Sequence, residues 1–137
     1  MDYAGDVTPA EAYAAATGAE RALLVDVRTR AEWAYVGVPV LDLPGREVVL
    51  VEWSRFPDGT VNDRFVEEVR AAGLEPGDPV YLICRSGVRS QAAAAALTAA
   101  GLGPAYNVLE GFEGPHDAEG HRTVSGWKNA GLPWRQG

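Results

Sequence analysis

The 137-residue chain has a single cysteine, Cys84, a single lysine, Lys128, and fewer basic than acidic residues. One cysteine cannot close a disulfide within the chain or anchor a multi-cysteine zinc site. The 12 Lys+Arg stand against 19 Asp+Glu, a formal net charge of −7. That balance argues against nucleic acid or an anionic membrane as the main partner. No apolar run approaches the ~18 residues needed to cross a bilayer. The first residues, MDYAGDVTPAEAYAAATG, lack the basic n-region and continuous apolar stretch of a secretory signal, so a soluble, cytoplasmic protein is expected. All basic residues except Lys128 are Arg, the mark of a GC-rich genome. An individual Arg therefore needs a positional argument before it counts as functional.

What is present suits one folded unit over residues 1–137, since domains of ~100–150 residues are the commonest size and bury about two-thirds of their unfolded surface. Thr8-Pro9-Ala10-Glu11 reads as a capping box with Pro at the first helical position, opening an Ala-rich helix that ends at Gly18. Ala22–Val27 is a nearly continuous apolar run, the pattern of a strand covered on both faces. A short helix is expected near 29–35, extended segments near 38–43 and 48–53, and a helix capped by Asn62 and closed by Gly73. Val80–Ile83 reads as a buried strand, Ser90–Ala100 as a helix ending at Gly101, and Tyr106–Leu109 as a last strand. A helical turn is expected at 127–130. Strands alternating with helices predict an α/β protein with a mainly parallel sheet, whose ligands bind beyond the carboxyl ends of the strands. Two such ends carry chemistry: Asp26/Arg28 and Cys84/Arg85.

The segment Cys84-Arg85-Ser86-Gly87-Val88-Arg89-Ser90 joins a buried strand directly to a helix N-terminus. Successive backbone N–H groups in a tight loop converge on one point, and the positive end of the helix dipole adds to them, which makes a cradle for an anion. Gly87 supplies positive φ at little steric cost. These donors and the two Arg favour the thiolate, the nucleophilic form, of Cys84. From Pro79 to Leu109 there is no Asp or Glu, only Arg85 and Arg89, so a basic window containing the cysteine sits inside an acidic chain.

This loop resembles the active-site loop of rhodanese-like sulfurtransferases. Asp26-Val27-Arg28, Glu32-Trp33 and Gly37 resemble a second family segment, and Asn107–Phe112 and Trp127–Pro133 its closing segments, so the likeness spans roughly residues 8–135. The resemblance implies a three-layer α/β/α fold with a five-stranded parallel sheet. It implies a persulfide mechanism in which Cys84 takes sulfur from thiosulfate or a related small sulfur-containing anion and passes it to cyanide, a thiol or a protein thiol, with no cofactor. Cys84 is then the nucleophile. Arg85, Ser86, Gly87, Val88, Arg89 and Ser90 form the anion-binding loop, with Arg85 a ligand for the donor's sulfonate. Arg89 either binds substrate or ties the loop to Asp26 or Glu32. Asp26, Arg28 and Glu32 are supporting residues. Gly37-Val38-Pro39 lacks the His that the family often has there, which bears on loop packing, and the 113–126 segment is longer than a minimal rhodanese needs.

Other readings remain open. Free cysteines are often inert core residues, but the strand–loop–helix setting speaks against that here. Cysteine phosphatases and arsenate reductases also cradle a tetrahedral oxyanion, but resemble His-Cys-x5-Arg; here four residues separate Cys84 from Arg89, and Ile83 stands in the His place. A non-catalytic rhodanese module used for binding commonly lacks the cysteine that this chain keeps. His116 and His121 lie near Asp117 and Glu119, yet their spacing fits no standard metal pattern, so no metal site is expected.

Overall fold

Residues 22–27 alternate in the way that builds a sheet covered on both sides. Leu23, Val25 and Val27 pack into one apolar cluster and Leu24 into another, as successive side chains of a strand must. In the computed structural model, which describes residues 2–18, 21–41, 47–55, 58–85, 87–114, 118–119 and 125–136, this segment is strand β2 (Leu23–Asp26), next to the centre of a five-stranded sheet. Strand β1 (Gly5–Val7) pairs with β6 (Ala105–Val108), β6 with β5 (Val80–Ile83), β5 with β2, and β2 with β4 (Val49–Leu50). All four pairings are parallel.

Helices α3 (Phe65–Ala71) and α4 (Val88–Ala99) supply Phe65, Val69, Ala93, Ala94 and Leu97 to the core on one face of the sheet. On the other face, α1 (Pro9–Gly18) contributes Ala12 and Ala16, which pack with Leu24, Ile83, Val108, Phe112 and Trp127. The three-layer α/β/α arrangement follows from a sheet that is apolar on both sides. Among the described residues no helix is long and apolar enough to cross a membrane.

Helix α1 begins as its sequence dictates. The Thr8 N–H donates to Glu11 Oε1 at 2.8 Å and the Glu11 N–H donates to Thr8 Oγ1 at 3.1 Å, the reciprocal bonds of a capping box. Three expectations are corrected. The fifth strand of the parallel sheet is Gly5–Val7, which polar and Gly residues concealed. Of the extended segment expected near 38–43, residues 42 and 43 lie outside the described residues, and Val38–Pro39 forms β3, in a separate antiparallel pair with β7 (Trp134–Arg135). The third helix starts at Phe65, not directly after Asn62, because Asn62 Oδ1 accepts from the Arg64 N–H and holds a turn first.

At the end of β2 lies a fully buried ion pair. Arg28 and Asp26 are both 0% exposed. Arg28 Nε donates to Asp26 Oδ1 at 2.9 Å, and its Nη2 donates to Asp26 Oδ2 and to the Gly37 carbonyl, each at 2.7 Å. The guanidinium carbon stands 4.4 Å from the centre of the Phe112 ring, which covers the remaining face. Removing one partner of such a pair strands a buried charge. Arg28→Met should therefore lower the unfolding free energy by about 3–5 kcal/mol in denaturant titration; a loss below ~1 kcal/mol would show that the pair does not organise this end of the sheet.

Candidate active site

Strand β5 ends at Ile83, so Cys84 stands at the carboxyl end of a central parallel strand, where ligands of α/β sheets are held. A strap from Leu109 to Gly114 fixes it there. The Phe112 N–H donates to the Cys84 carbonyl at 2.8 Å, and the N–H groups of Glu113 and Gly114 donate to the Arg85 carbonyl at 3.0 and 3.2 Å. The strap lies this close because residue 111 has no side chain. Gly111 has φ +59°, and a Cβ there would fall 2.4 Å from the Cys84 carbonyl oxygen. Trp127 locks the strap from behind, its N–H donating to the Gly111 carbonyl at 2.8 Å.

Cys84 is 1% exposed, and its sulfur meets two polar groups. The Gly87 N–H donates to Sγ at 3.1 Å, and Ser90 Oγ lies 3.2 Å from it. Gly87 takes φ +108° and leads directly into α4, so the positive end of a 12-residue helix is directed at this corner. An amide donor and a helix N-terminus are thus supplied by one short segment. Ser86 lies outside the described residues, as do His116 and His121.

The two loop arginines are both met by acids from outside the acid-free window. Arg89 forms a two-pronged ion pair with Glu32, Nη1 to Oε1 at 2.7 Å and Nη2 to Oε2 at 2.9 Å. Glu32 belongs to α2 (Arg30–Tyr35), where it also closes a capping box with Thr29. Burial pushes the Glu32 carboxyl up, but the Arg89 hydrogen bonds and charge, the Thr29 N–H and the charge of Arg28 together hold it below its ordinary value. Arg89 is correspondingly raised, first by its bonds to Glu32, with the charges of Glu32, Cys84 and Asp26 adding to them against burial. Of the roles open to Arg89, the geometry shows the brace to Glu32. Arg85 is about half exposed, its Nε 3.1 Å from Glu113 Oε2 as a charge contact without hydrogen-bond alignment.

Beside the loop a cavity of about 450 Å³ is lined by Arg85, Arg89, Arg55, Glu32, Glu113 and Tyr35, among others. Val88, at the start of α4, is exposed. Asp26 and Arg28 serve each other, not the cavity. Three residues at the site have a role that the sequence pattern did not assign: Gly111, Glu113 and Asn107, which accepts a hydrogen bond from Ser90 Oγ. Asn107 did carry a signal, as a polar residue inside an otherwise apolar strand.

The family model described as "Rhodanese-like domain" matches residues 8–118. The crystal structure of Rv0390 from M. tuberculosis is 56% identical, covers 98% of this chain and 99% of its own, and superposes with a TM-score of 0.89. The polysulfide-sulfur transferase homodimer from Wolinella succinogenes superposes at 0.67 with 22% identity, over 98% of this chain and 79% of its own. A Rhodopseudomonas palustris protein titled a possible tyrosine phosphatase superposes at 0.58, also with 22% identity, over 96% and 84% of the two chains. At such identity the last two likenesses concern the fold.

Because the Glu32 carboxyl is held below its ordinary 4.5, the stability it contributes is fully present above that value and is lost as pH falls through the lower folded one. Glu32→Gln should cost about 1–3 kcal/mol at pH 7. The gap to the wild type should narrow as pH falls below the ordinary carboxyl value and close once Glu32 is protonated in the folded protein. A gap that stays constant into acid, read by denaturation at a series of pH values, would mean that the ion pair contributes little.

Proposed function

The chain belongs to the rhodanese-like domain family, and on that footing we propose that it is a sulfurtransferase that carries sulfane sulfur on Cys84. The observation that supports this most is the sulfur's setting: a lone cysteine at a strand end, taking a hydrogen bond from the Gly87 amide at the start of α4, with Arg85 and Arg89 lining the adjacent cavity.

In the proposed reaction the Cys84 thiolate attacks the outer sulfur of thiosulfate or a related anion. A new S–S bond forms, the donor's S–S bond breaks, and sulfite leaves with the bonding pair. Cys84 then carries a persulfide. A thiophile, cyanide or a thiol, attacks the outer sulfur, and the Cys84 thiolate leaves with the electron pair, so no external oxidant or reductant is consumed. The amide and the helix end stabilise negative charge at both sulfurs. Arg85, exposed and loosely held by Glu113, is the side chain best suited to the donor's anionic end. Arg89 acts mainly by holding the loop. The reading needs no cofactor, and a cytoplasmic setting, where thiols stay reduced, supplies acceptors.

The buried sulfur suits a compact sulfane end better than the ester of a phosphoprotein, and the loop holds one residue fewer between Cys84 and Arg89 than the phosphatase pattern. Both favour sulfur transfer over phosphate-ester hydrolysis.

Thiocyanate formation from thiosulfate and cyanide tests the reading. Cys84→Ser should reduce turnover to background while the protein stays folded. Arg85→Ala should raise KM for thiosulfate roughly tenfold or more with a smaller change in kcat, as expected when ground state and transition state lose the same contact. Absence of thiocyanate together with hydrolysis of a phosphate ester would replace this function with the phosphatase one.

A further inference from the structure

A polar chain runs from the edge of the sheet to the Cys84 sulfur, and the proposed reaction uses only its last member. Strands β1 and β6 pair with Asp6 opposite Asn107. In parallel strands side by side, opposed residues point to the same face, here the face under α4. Asn107 is fully buried, as is Ser90 on α4. Asn107 Nδ2 donates to Asp6 Oδ1 at 3.0 Å, and Tyr3 OH donates to the same oxygen at 2.9 Å. Ser90 Oγ bonds Asn107 Oδ1 and stands 3.2 Å from Cys84 Sγ.

The chemistry of these groups gives the chain a direction. An ionised carboxylate only accepts, so Asp6 obliges Asn107 to turn its NH₂ outward and its oxygen towards Ser90. An amide oxygen also only accepts, so the one hydroxyl proton of Ser90 is committed to Asn107. What Ser90 then presents to Cys84 is a lone pair. A thiol can donate into that lone pair; a thiolate cannot. Because a neutral amide does not relay protons, the chain acts by orientation and not as a proton wire.

We propose that Asp6 and Asn107 are positioning residues that fix the Ser90 hydroxyl as an acceptor towards Cys84, and so hold the resting sulfur closer to its thiol form than the Gly87 amide and the helix end alone would. Two opposed influences meet at one sulfur: a donor from the loop favouring the anion, and an acceptor oriented from β1 favouring the proton. The inference rests on Cys84 being the nucleophile proposed above, but its test reads the sulfur directly.

The test is a pH titration of thiolate ultraviolet absorbance on the full chain, each protein read against its own Cys84→Ser counterpart, which keeps the tyrosines that also absorb when ionised but has no thiol. Charged groups around Cys84 are Arg85 and Arg89 on the loop and α4, Glu32 and Glu113 paired to them, Asp26 and Arg28 at the end of β2, Glu110 on the strap, and Asp6. Only Asp6 differs among the variants compared. Asn107→Leu frees the Ser90 proton for the sulfur and should move the thiolate midpoint down by roughly 0.5–1 pH unit, a three- to tenfold change in the equilibrium. Asp6→Ala, at the sheet edge, frees Asn107 to turn round and should act in the same direction; it serves if Asn107→Leu does not fold. Both effects should vanish in a Ser90→Ala background. A field effect of the lost carboxylate would survive there, and survival would overturn the proposal, as would an unchanged or raised midpoint in both single variants. Thiocyanate formation by the same proteins separates the two ideas: a wild type that transfers no sulfur, yet whose variants shift as stated, would overturn the function and leave the positioning role standing.

Discussion

The buried pair of Asp26 and Arg28 is the point from which the rest of the site is positioned. Arg28 grips the end of β2 through Asp26, holds the Gly37 carbonyl where β3 begins, and lies against the Phe112 ring. Phe112 in turn carries the N–H that seats on the Cys84 carbonyl. One guanidinium thus connects the end of β2, the start of β3 and the strap to the backbone of Cys84. A buried ion pair adds little net stability over a well-packed apolar substitute, but it is costly to break halfway. Its value here is positional: the pair ties together β2, the Gly37 carbonyl and the strap, with Nη1 left without a hydrogen-bond partner.

The same arrangement changes the meaning of the acid-free window from Pro79 to Leu109. In sequence it looks like a basic spot able to attract any anion. In the fold each of its two arginines meets an acid from elsewhere, Glu32 from α2 for Arg89 and Glu113 from the strap for Arg85. Long-range attraction is largely cancelled. What remains is short-ranged: the Gly87 amide, the helix end, and a half-exposed Arg85 set against a largely buried Glu113 carboxylate. Such a site selects by fit at the sulfur more than by net charge.

Much of this was legible in the sequence because local rules governed it. Helix α1 and its Thr8–Glu11 box, the buried strands at 23–26 and 80–83, and the Cys84-to-helix loop each follow from periodicity, capping or turn chemistry within a dozen residues. Strand β1 was not legible, since Gly5-Asp6-Val7 becomes a strand only because β6 offers it an edge. Val38–Pro39 could be read only as extended, and its partner, Trp134–Arg135, lies almost a hundred residues away. The acids that meet Arg85 and Arg89 were half visible: Glu32 could be foreseen as a partner, whereas Glu113 depends on the path of the strap. Gly111 is a glycine for a reason that no local pattern contains, the approach of one backbone to another.

The central claim is that Cys84 accepts and releases a single sulfur atom, and the intact mass of the protein after treatment with thiosulfate tests it most directly. The expected result is a gain of one sulfur, located on Cys84, that disappears when cyanide is added and never forms on Cys84→Ser. A wild-type mass unchanged by thiosulfate and by other sulfane donors, with Cys84 intact, would contradict it.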